Sequence, residues 1–130
     1  TPRRRPQRPS SPPRPQRIAR LRSSAAAEAE KACRAFAPCW GERVQVDASI
    51  ACENAVERLG KFSVRWTDGM LEPKFPRVVW ADEEAGTLYF GGDKIEFQNG
   101  FGAWQPYIYA CKFDPATLQV LEVGAEPGRF

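Results

Sequence analysis

Four cysteines and no histidine set the chemistry open to this 130-residue chain. Without histidine, neither a Ser-His-Asp nor a Cys-His nucleophile can be assembled. The sequence also carries no phosphate-cradling Gly-Lys loop and no G-x-G-x-x-G turn. Paired carboxylates remain formally open for hydrolysis. Asp93 and Glu96 stand near glycines, and Glu53 and Glu57 are four residues apart. Chains of this acidity offer such pairs without chemistry, and a solvated helix face accounts for the second pair. The reading is therefore of a protein that is not an enzyme and that calls for no cofactor.

The cysteines allow three pairings. Cys33 and Cys39 lie six positions apart, whereas Cys52 and Cys111 are isolated. No C-x-x-C knuckle exists and no histidine completes a zinc site, so no metal is expected. Disulfides are favoured over zinc, with buried free thiols as the third reading. Cys52 falls on the apolar face of a predicted helix and Cys111 on the inner face of a predicted strand. Those positions suit a staple between helix and sheet. Cys33 and Cys39 straddle a helix end, where a bond would close a short loop.

Charge is divided along the chain. Thr1–Arg22 holds Arg3, Arg4, Arg5, Arg8, Arg14, Arg17, Arg20 and Arg22 and no acid. This segment carries +8; the whole chain is +3, so the remainder carries −5. Its prolines oppose regular helix over the first fifteen residues, and it is too polar to bury a core. It reads as a disordered or extended arm, or as the remains of a targeting peptide. Its arginine forks suit phosphate and carboxylate, so nucleic acid or another polyanion is a candidate partner. No apolar run is long enough to span a membrane and no signal-peptide core is visible. The chain opens on Thr1, which reads as a processed or trimmed start.

Periodicity supplies the elements that would hold these residues. Ser23–Phe36 is an alanine-rich helix capped by Ser24 and stopped by Pro38. Asp47–Leu59 is an amphipathic helix with Asp47 as N-cap and Gly60 as terminator. Its apolar face is Ala48, Cys52, Ala55, Val56 and Leu59. Lys61–Pro76 is irregular, with Trp66, Met70, Leu71 and Phe75 expected to cover one end of the core. The period then becomes two. Strands are expected at 77–81, 87–90, 94–97, 105–113 and 118–123. Gly91-Gly92-Asp93 either closes a hairpin or marks a bulge in one long strand. Pro106 argues that its strand begins at an edge or outside the ladder. Tyr107, Tyr109, Cys111 and Phe113 share a face and read as core. The expected fold is α+β: one or two helices on a four-stranded antiparallel meander. The divisions are 1–22 (arm), 23–46 (helix and connector) and 47–130 (α+β domain).

Residues 51–123 resemble a small bacterial domain family of uncharacterised function found in secreted, lipid-anchored and phage-associated proteins. The residues that carry the resemblance are Cys52, Ala55-Val56, Leu59, Pro73-Lys74-Phe75, Gln98-Asn99-Gly100-Phe101-Gly102-Ala103 and Cys111. The resemblance implies a helix packed on an antiparallel sheet with Cys52 bonded to Cys111, and no known chemistry. With the cysteines, it directs the functional reading to a disulfide-stabilised binding or envelope-associated module, periplasmic or secreted, tethered by the arm. A protein partner is expected, with Phe101 and Trp104 as its contacts. The competing account of the Asn99–Trp104 stretch is a plain turn, with Gly100 and Gly102 at positive φ and Phe101 covering the core edge. The alternative function is an accessory subunit of a larger assembly, a ribonucleoprotein for example, in an organelle after loss of a targeting peptide. The arm would then run along RNA phosphates.

Overall fold

The computed structural model describes the backbone from Arg14 and the side chains from Arg17, through Phe130. Two compact units divide the chain, residues 1–32 and Cys33–Phe130. Helix α1 (Arg14–Arg34) makes up the described part of the first unit and ends inside the second. It begins nine residues before the expected start, so residues 14–22, expected in a disordered or extended arm, are helical, and Ser24 is interior and caps nothing. Pro15 explains this. In the first helical turn a proline removes an N–H that has no partner anyway.

The second unit opens with Cys33, bonded to Cys39 across the short link into α2 (Ala37–Glu57). Helix α2 starts ten residues before the expected boundary. Pro38, read as a stop, sits in its first turn, and Asp47 lies in its interior. The division expected at residues 46 and 47 thus falls within a helix. The buried stripe is Ala37, Gly41, Ala48, Cys52 and Val56. Leu59 lies beyond the last helical residue and is 38% exposed, so it is not a core residue. Glu57, expected in solvent, is half-buried and accepts a 2.7 Å hydrogen bond from Trp66 Nε1.

Five antiparallel strands face α2: β1 (Val64–Trp66), β2 (Arg77–Asp82), β3 (Thr87–Gln98), β4 (Trp104–Asp114) and β5 (Gln119–Pro127). β2 to β5 form the expected meander. The three-residue β1 adds a fifth strand and shares the outer edge of β3 with β2. Gly91-Gly92-Asp93 lies within β3, where the register shifts between Gly92 and Ile95, so the bulge reading holds. Gly92 is required there: a Cβ at this position would collide with the Lys74 carbonyl and the Tyr109 hydroxyl. Pro106 lies inside the ladder opposite Glu96. Its carbonyl accepts from Gly128 N, just past the end of β5. Carbonyl and nitrogen of a strand residue point the same way, so the missing N–H faces that end and interrupts nothing.

The core joins Val56 and Cys52 of α2 to Leu88, Phe90, Ile95, Tyr109, Cys111 and Phe113 of the sheet. Cys52 and Cys111 are bonded and fully buried. Tyr109 is the polar exception. Its ring packs edge-on against Trp66 and Phe75, with centroids 5.4 and 5.2 Å away. Its hydroxyl donates to the Lys74 carbonyl and accepts from Lys94 N. Burial pushes the phenol well above the ordinary tyrosine range. Phe75 is core and Trp66 half-buried, as expected, but Met70 and Leu71 are fully exposed on the β1–β2 connection.

Candidate functional site

Asn99–Ala103 is the five-residue connection between β3 and β4, and the Asn99 side chain organises it. Its Oδ1 accepts from Phe101 N at 2.9 Å and from Ala103 N at 3.0 Å. Asn99 N donates to the Ala103 carbonyl, and Gly102 N donates to the Asn99 carbonyl. Gln98 Nε2 closes the loop onto the Gly102 carbonyl at 3.1 Å. Gly102 has φ +82°, the left-handed region open to glycine, whereas Gly100 does not. Only one of the two expected positive-φ glycines is therefore present.

This bonding fixes the backbone and leaves the Phe101 ring without support. Phe101 is 98% exposed. It does not cover the core edge. Trp104 differs: it is half-buried at the start of β4, with the Arg65 guanidinium carbon 4.2 Å from its ring centroid. Arg65 is held in turn by Glu96, Nε to Oε1 at 2.7 Å, and Arg129 reaches the other Glu96 oxygen. The loop thus brings the two predicted contact residues to one end of the sheet, one projecting and one braced.

Beside the loop lies an apolar groove of about 400 Å³, lined by Leu59, Phe62, Phe97 and Tyr107 among others. Phe62 is 57% exposed and abuts Gly100. Sequence reasoning missed Phe62 and Arg65 and assigned Leu59 to the core. The helix ends at Glu57 with Arg58 as cap, so Leu59 leaves the helical path before Gly60, the residue expected to terminate it.

Both cysteine pairs are disulfides, so no thiol is available to zinc. Among the described residues no three metal-ligating side chains converge. Asp93 and Glu96 are taken up structurally, Asp93 by Phe130 N and Glu96 by two arginines. Arg17, Arg20 and Arg22 lie exposed on α1, and Arg14 is its first residue. Arg3, Arg4, Arg5 and Arg8 lie outside the described residues. No described helix is long and apolar enough to cross a membrane. No family model, curated protein or solved structure matches this chain.

Proposed function

We propose that the chain is a non-enzymatic binding module of the cell envelope, periplasmic or secreted, that makes its contact through the Asn99–Trp104 loop. The carrying observation is the Phe101 ring, 98% exposed on a loop whose backbone hydrogen bonds are largely satisfied internally. A large apolar ring held in water contributes nothing to folding, whereas aromatic anchors dominate binding energies. A pre-organised backbone lowers the ordering cost of capture. Two disulfides favour an oxidising compartment. The resemblance of residues 51–123 to secreted and lipid-anchored domains points the same way. The arginine-rich segment acts as a polyanion tether, supported by the exposure of Arg17, Arg20 and Arg22.

The test is retention of the full chain on a washed bacterial envelope fraction containing both membranes and attached proteins. Phe101→Ala should lose retention while keeping the unfolding midpoint of the parent. Equal retention of the two proteins would refute the assignment of the loop.

A further inference from the structure

We infer that the surface met by this loop is an anionic lipid interface, into which the Phe101 ring inserts. The inference rests on the reading above and names its partner. A lone ring on a projecting tip offers little area to a rigid, flat protein surface. A lipid interface closes around such a ring from every side, and aromatic side chains are favoured at that depth. Phe62 (57% exposed) and Leu59 (38%) widen the apolar tip behind it.

Charge at this end agrees. Residues 58–66 and 98–108 carry Arg58, Lys61 and Arg65 and no carboxylate, and the neighbouring strand adds one acid, Glu126, opposite Ile108. Arg58 and Lys61 are exposed, and the Arg65 side chain is half-exposed. Glu96 is occupied by Arg65 and Arg129. Cations around an apolar tip match the negative potential of an anionic leaflet. The exposed apolar pair Met70 and Leu71, on the β1–β2 connection, lacks this match. Met70 and Leu71 are bracketed by Asp68 and Glu72, and contact with Gly69 N and Lys94 holds the Glu72 carboxyl below its usual range. Lys74 and Lys94 balance these two carboxylates, so this turn presents no surplus of positive charge to a negative surface.

The experiment uses the full chain with vesicles of phosphatidylcholine, alone or mixed with phosphatidylglycerol, read by co-sedimentation. Binding to the mixed vesicles is expected. Phe101→Ser should weaken it on the order of tenfold, the scale of removing one buried aromatic ring. Lys61→Glu should weaken it on mixed vesicles only. A Phe101→Trp variant should bind as the parent does, and lipids brominated on the acyl chain should quench it more than they quench the parent. Unchanged binding of Phe101→Ser, which would mean adsorption by the arginine arm alone, overturns the inference. So does an absence of added quenching. If lipid vesicles fail to bind while an envelope fraction retains the chain in a Phe101-dependent way, the partner is a protein. The lipid inference then falls and the function reading stands. If neither retains it, both fall.

Discussion

Replacing Cys52 and Cys111 together by alanine removes the bond between α2 and β4. The loss can be worked from the loop each disulfide closes. Cys52–Cys111 spans 59 residues and Cys33–Cys39 spans 6. In the chain-entropy relation the long loop contributes about 4 kcal/mol and the short one about 2 kcal/mol. Alanine also deletes two fully buried sulfurs from the centre of the core, so about 4 kcal/mol is a floor. A domain of this size holds only about 5–15 kcal/mol in total, so the variant should be marginal at room temperature. Urea unfolding of the oxidised proteins, followed by tryptophan fluorescence, measures both variants. The reasoning is refuted if Cys52→Ala/Cys111→Ala loses less than about 2 kcal/mol, or less than Cys33→Ala/Cys39→Ala does.

Other substitutions separate core from tip. Phe113→Ala, fully buried, should cost about 3–5 kcal/mol, and Leu59→Ala, beyond the helix end, less than about 1 kcal/mol, both by urea unfolding. Asn99→Ala removes the acceptor for two solvent-exposed backbone N–H groups and should cost about 0.5–1.5 kcal/mol, lowering amide-exchange protection at Phe101 and Ala103. Tyr109 gives a pH signature. Its phenol stays protonated in the folded chain at pH values where an unfolded tyrosine, near about 10, ionises. The folded state therefore binds more protons above that point, and stability falls as pH rises through it. Tyr109→Phe should flatten that alkaline loss in unfolding measurements.

Strand content, inward faces and the helix–sheet staple were legible because period-two alternation and a facing cysteine pair are strong signals. The first ten residues of α2 were not. Their buried positions are Ala37 and Gly41, small residues that give no apolar stripe, and Pro38 reads equally as a stop or a start. Leu59 follows the helical period but stands after the backbone has left it. Met70 and Leu71 carry core-type side chains on a loop pinned by Asp68–Lys74 and Glu72–Lys94 ion pairs, which hold the turn without burying them. β1 is only three residues long, too short for a period to register. At the candidate site the residue types were legible and the exposure was not. Phe101 as tip and Phe101 as core cover share one sequence, and the two Asn99 Oδ1 bonds decide between them.

The central claim is that Phe101 serves binding and not folding. Parallel measurement of urea unfolding and envelope co-sedimentation for Phe101→Ala tests it most directly. The account predicts a stability change within about 0.5 kcal/mol together with loss of retention. A loss of about 3 kcal/mol or more in stability would place the ring in the core and contradict it.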